Sequence, residues 1–84
     1  MTHSVYVFMM TVPEADLEKK SLMKRYWALG LSQAVNQAES KGFNVIKSVE
    51  PSYHVGRDVA YDEDGNVVRG MAALYVELMV RAKA

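Results

Sequence analysis

The spacing of apolar and polar positions changes several times along the chain. From Ser4 to Val12 nearly every residue is β-branched, aromatic or methionine. Strand alternation places Val5, Val7 and Met9 on one side and Tyr6, Phe8 and Met10 on the other. Both sides are apolar, so the strand is expected at the centre of a sheet, covered on both faces. Pro13 stops it, and Glu14, Asp16 and Glu18 carry the charge that a helix N-terminus favours. The spacing then lengthens. Met23, Tyr26, Trp27, Leu31, Ala34, Val35 and Ala38 form a helical stripe, with Lys24, Ser32, Gln33, Asn36, Gln37 and Lys41 filling most of the remaining positions. Gly30 interrupts the stripe at a cost of about 1 kcal/mol relative to alanine, which predicts a close approach to the sheet or a bend. Gly42 fits the position just past the last turn. The helix starts at Pro13, or Ser21 caps a later start and Pro13 to Lys20 form a separate turn.

Strand character resumes from Phe43 to Val49, is interrupted by Pro51 and continues from Tyr53 to Tyr61. The run Asp62-Glu63-Asp64-Gly65-Asn66 is a turn signal, with Gly65 free to take positive φ. The segment from Val67 onward then returns antiparallel. Its last part satisfies two periods: Ala72, Leu74, Val76, Leu78 and Val80 share a strand face, whereas Met71, Leu74, Tyr75, Leu78, Met79 and Ala82 would share a helix face. The preceding turn, Val76, Val80 and the lack of a cap before Met71 favour strand. The expected fold is one α+β domain over residues 1–84, in the order β-α-β-β. A three-stranded, mainly antiparallel sheet with a long hairpin carries one long helix on one face.

One helix covers one face. With the first strand central, it is expected to cover Val5, Val7, Met9, Leu74, Val76 and Leu78. Tyr6, Phe8, Met10, Met71, Tyr75 and Met79 are then left on a face that no other segment can cover. Such an apolar patch, rich in aromatics and methionine, points to a partner or dimer interface.

Composition strengthens that reading. At 84 residues a domain hides only about 60–65% of its unfolded surface. Small domains often add a disulfide, a metal or a partner subunit. There is no cysteine, so neither a disulfide nor a thiolate site is available. A two-fold homodimer is the commonest remaining solution. Ten basic and ten acidic residues cancel, which argues against a general electrostatic grip on nucleic acid or membrane. The run Val5–Val12 is too short to span a bilayer and lacks the flanks of a signal peptide. A cytoplasmic location without membrane association is expected.

Candidate chemistry is sparse. Tyr53, His54 and Arg57 lie close in sequence and form a possible polar ligand site, with Asp58 a possible orienting group for His54. No histidine or cysteine pair has metal-ligand spacing, and no metal or cofactor is expected. The acidic turn does not fit a calcium loop, because Val67 and Ala73 stand where that loop needs glycine and glutamate. Lys19, Lys20, Lys24 and Arg25 form one basic cluster, read as a solvated helix face balanced by Glu14, Asp16 and Glu18. No glycine-rich phosphate loop or nucleophile elbow follows the first strand.

Two short segments resemble the paired motifs of the RNA recognition motif. Val5–Met10 is similar to the first, and Arg69–Val76 to the second through Arg69, Gly70, Ala72 and Leu74. Met71 and Ala73 stand where that family places base-stacking aromatics. The spacing is longer, and the chain has no room for the family's second helix and fourth strand. The resemblance implies single-stranded nucleic-acid binding on the sheet through Tyr6 and Phe8. The expected function is a small, non-enzymatic binding or regulatory module acting through protein–protein contacts, as a homodimer or with another protein. The alternatives are that nucleic-acid reading and a cofactor-free small-molecule enzyme or ligand-binding dimer, using Tyr6, Tyr53, His54, Arg57 and Tyr75.

Overall fold

The computed structural model describes residues 3–56 and 62–83. Its elements are β1 (Ser4–Pro13), a 3-10 turn at Glu14–Asp16, α1 (Lys20–Ser40), β2 (Phe43–Val45), β3 (Ser52–Gly56) and β4 (Met71–Ala82). The fold is α+β: one α-helix on a four-stranded antiparallel sheet.

The chain's last described strand is the centre of that sheet. β4 pairs with β1 along one side and with both β2 and β3 along the other. Two expectations are thereby corrected. The sheet has four strands rather than three, because Phe43–Val49 does not remain extended. After Val45, the Ile46 N–H still reaches the Met79 carbonyl at 2.8 Å, and Val49 then turns back onto Ile46 at 3.3 Å. Pro51 precedes β3, so the interruption makes two short strands of one. The first strand is an edge rather than the centre, because β4 takes partners on both sides. The ambiguous C-terminal segment is a strand.

The turn Asp62–Asn66 forms as its residues dictate. The Asp62 carboxylate accepts the backbone N–H groups of Asp64 and Asn66, each at 2.9 Å. Gly65 takes a φ of 84°, a value that costs glycine little. The β3–β4 register is centred on this turn, with Ser52 opposite Glu77 and Gly56 opposite Ala73.

The helix begins after the separate 3-10 turn, with Lys19 rather than Ser21 at its N-cap and no side-chain capping bond. Met23, Gly30, Ala34 and Ala38 are its buried residues. The last three form an i, i+4 row of small side chains, which lets the helix lie close on β4. A Cβ built on Gly30 would sit 3.2 Å from Val76 Cγ2 and 3.3 Å from Met10 Sδ. Close approach, not a bend, is the role of this glycine. Beneath the row lie Ala72, Leu74, Val76, Leu78 and Val80 of β4, at most 2% exposed.

Candidate interface on the open sheet face

The pairing of β1 with β4 decides what the second sheet face carries. Tyr6 lies opposite Leu78, Phe8 opposite Val76, Met10 opposite Leu74 and Val12 opposite Ala72. Directly opposite residues share a face. Tyr6, Phe8 and Met10 therefore lie under the helix, packed against the two core clusters. Val5, Val7 and Met9 lie on the far side, opposite Met79, Glu77 and Tyr75.

The face assignment of β1 is thus the reverse of that expected. The six residues expected to form one patch divide in two: Tyr6, Phe8 and Met10 on the helix side, Met71, Tyr75 and Met79 on the open side. The division of β4 is as expected. The cause is the pairing phase with β4, whose aliphatic side meets the helix. Gly30, Ala34 and Ala38 bring α1 down onto β4, and β1 flanks that contact. Its larger side chains reach back toward the helix and over the sheet. Tyr6 donates a hydrogen bond to Gln37 Oε1, and its ring lies 6.1 Å from that of Phe43. The shorter valines are left outside.

The open face consequently carries an apolar stripe. Val5 is 56% exposed, Val7 51% and Met9 45%. Beside them on β4 are Met71, Tyr75 and Met79, each half-buried. No described helix or strand packs over the Val5–Met9 stripe; Ala73 on the same face is fully buried, and Val49 and Glu50 border Val5, Glu77 and Met79. The polar spot of this face is made by His54 and Glu77. His54 stacks on Tyr75 with ring centroids 4.9 Å apart and planes 13° from parallel, while its Nε2 lies 3.3 Å from Glu77 Oε1. The Tyr75 ring also leans on Gly56, where an added Cβ would meet it at 3.1 Å. The rings and the His54–Glu77 contact hold one another flat against the sheet.

Of the possible polar ligand site, the described residues Tyr53 and His54 fall on opposite faces. Tyr53 faces the helix opposite Val76, and its ring lies 5.9 Å from that of Trp27. Burial raises its phenol above the usual value. His54 points to the opposite face, and Arg57 lies outside the described residues, as does Asp58. Among the described residues, no group of three His, Asp or Glu side chains is placed to hold a metal ion. Nor is any helix long and apolar enough to cross a membrane.

On the helix side, the basic cluster does not act as a unit. Lys19 pairs with Asp16 at 3.2 Å, and Asp16 also accepts the Tyr26 hydroxyl at 3.0 Å. That hydrogen bond, with desolvation and the nearby carboxylate charge after it, raises the Tyr26 phenol. Lys20 and Lys24 border an apolar hollow of about 330 Å³ floored by Leu17, Met23, Trp27 and Val55. Tyr6 and Phe8, the aromatics expected to stack bases, lie on the helix side of the sheet rather than on the open face.

Compared with protein-family models, curated proteins and solved structures, the chain matches none.

The sequence signal for the open face was β1's unusual composition. Alternation identifies its two sides but not which of two apolar sides meets the helix. The pairing phase with β4 chooses between them.

Proposed function

We propose that the chain is a non-enzymatic binding module that acts through protein–protein contacts and associates with itself through the open sheet face. The observation that carries this reading is the apolar stripe of Val5, Val7 and Met9 beside Met71, Tyr75 and Met79, without a covering element among those described. Patches of this kind on small domains mark interaction surfaces. The methionine and aromatic content suits a protein partner, and a stripe in which the Glu77 carboxylate already meets His54 suits a second copy. Sheet-on-sheet packing about a two-fold axis would bury the stripe against itself.

Sedimentation equilibrium over a range of concentrations tests the proposal. The wild type is expected to sediment with the mass of at least two copies. Met79→Glu, which sets a second carboxylate beside Glu77 on the face, is expected to lower that mass and leave the circular dichroism unchanged. A wild type that stays monomeric at every concentration, or a Met79→Glu variant of unchanged mass, overturns it.

A further inference from the structure

β1 presents a second unused surface, its outer backbone edge. The Ile46 N–H donates to the Met79 carbonyl from the β2 side of β4. In an antiparallel ladder, directly opposite residues either both point at each other or both point away. Met79 points toward β2, so Val5 opposite it points away from β4. The same holds, two residues at a time, for Val7, Met9 and Thr11. The Glu14 N–H agrees with this phase: it points inward and donates to the Gly70 carbonyl at 2.8 Å. A row of N–H and C=O groups is therefore offered along the outside of β1.

Exposed edges invite pairing, and proteins usually blunt them with charge, proline or brevity. The far edge of this sheet is blunted in all three ways. β2 and β3 are three and five residues long, and Lys47, Glu50 and Pro51 lie between them. β1 has none of these devices. From Ser4 to Val12 it contains no charged residue, no proline and no glycine. Its inner side is also incomplete. Tyr6, Phe8 and Met10 remain partly exposed, although their opposite numbers on β4 are at most 2% exposed. A strand with two apolar sides belongs between two others, and among the described residues β1 has a neighbour on only one side.

We infer that β1 pairs antiparallel with β1 of a second copy, making one continuous eight-stranded sheet. The two-fold axis for such a pair is normal to the sheet. It keeps both helices on one side and both open faces on the other. Centring the axis on Phe8 pairs all of Ser4–Val12 and leaves Pro13 outside. Phe8 then lies beside Phe8 of the second copy, and Tyr6 beside its Met10, filling the gap between the helices. Val7 exchanges backbone hydrogen bonds with Met9 of the second copy. The inference rests on reading the module as self-associating. The two contacts are compatible, because the open faces remain free for sheet-on-sheet packing. The edge axis and the face axis are perpendicular, and together they close on four copies.

The test separates the two contacts. Val7→Pro removes one outward N–H yet keeps an apolar side chain, and an outward N–H is not needed by the β1–β4 ladder. Sedimentation equilibrium of the wild type is expected to give four copies. Val7→Pro and Met79→Glu are each expected to give two, and the double variant one. Phe8→Cys supplies an independent measure in a chain without other cysteines. Its Cα should lie about 4.5 Å from its mate, because this pair is not hydrogen-bonded, and that distance suits a disulfide. Near-complete covalent dimer is expected on mild oxidation, and none for Val49→Cys. If Val7→Pro keeps the wild-type mass and Phe8→Cys does not cross-link, edge pairing is wrong, and a Met79→Glu that still dissociates leaves the face contact standing. If Val7→Pro lowers the mass and Phe8→Cys cross-links while Met79→Glu changes nothing, the edge pairing holds and the face contact fails. If Val7→Pro does not fold, the cross-link alone decides. A monomeric wild type overturns both.

Discussion

Gly30 is a residue at which two opposing effects can be weighed. Alanine there would gain about 1 kcal/mol of helix propensity. Its methyl group would press on Val76 and Met10, both already in contact distance. Over-packing of a tight core costs about 1–3 kcal/mol. Met10 can yield, but Val76 is fully buried. Gly30→Ala is expected to lose about 1 kcal/mol of stability, read as a lower urea midpoint. Ala28→Gly, on the exposed side of the same turn, isolates the propensity term. Tyr26 makes a pH-dependent case. Its phenol is raised in the folded state by the Asp16 hydrogen bond, so the bond contributes below the unfolded phenol's pKa and is lost as pH rises through the folded value. The stability difference between wild type and Tyr26→Phe should therefore shrink from neutral to strongly alkaline pH in matched urea titrations. A difference constant across that range would show that the hydroxyl contributes nothing through Asp16. At Asp62, two backbone N–H groups depend on one carboxylate. Asp62→Ala is expected to cost about 1 kcal/mol, with faster amide exchange at Asp64 and Asn66.

At the scale of elements, the parts legible in the sequence were those governed by local chemistry. The Asp62–Asn66 turn, the helix body ending before Gly42 and the strand at Met71–Ala82 all follow from turn residues, spacing and β-branching. The parts not legible were relations between elements. Alternation along β4 separates its aliphatic side from Met71, Tyr75, Glu77 and Met79, and the helix takes the aliphatic side. Along β1 both sides are apolar, and alternation offers no choice. The pairing phase sets it, and that phase depends on which strand lies next to which. The central position went to β4, although Glu77 makes β4 look half-solvated and β1 looks fully buried. The six candidate interface residues therefore divide between the two faces, and Tyr53 and His54, adjacent in sequence, had to fall on opposite faces once β3 was a strand. Element packing makes its own prediction. The chain's one tryptophan, Trp27, lies against Tyr53 where α1 crosses β3. Tyr53→Ala should shift Trp27 fluorescence to the red while leaving the β1–β4 amides protected from exchange. Equal deprotection of both would mean that β3 and β1 do not open separately.

For the whole molecule, β4 is the common partner. It holds β1 on one side and β2 and β3 on the other, and no other strand pairing occurs among the described residues. Three of the four strands therefore precede the strand that each must pair with. On a translating ribosome, β1, α1, β2 and β3 leave the exit tunnel with no sheet to join, and β1 carries its apolar sides unpaired for the longest time. A nascent chain arrested before Met71 should have at most helical order and should be held by chaperones or cleaved by protease, whereas one extended far enough beyond Ala82 for β4 to clear the tunnel should resist cleavage. The sheet is assembled in a single late event, by a strand that arrives last and joins all the others.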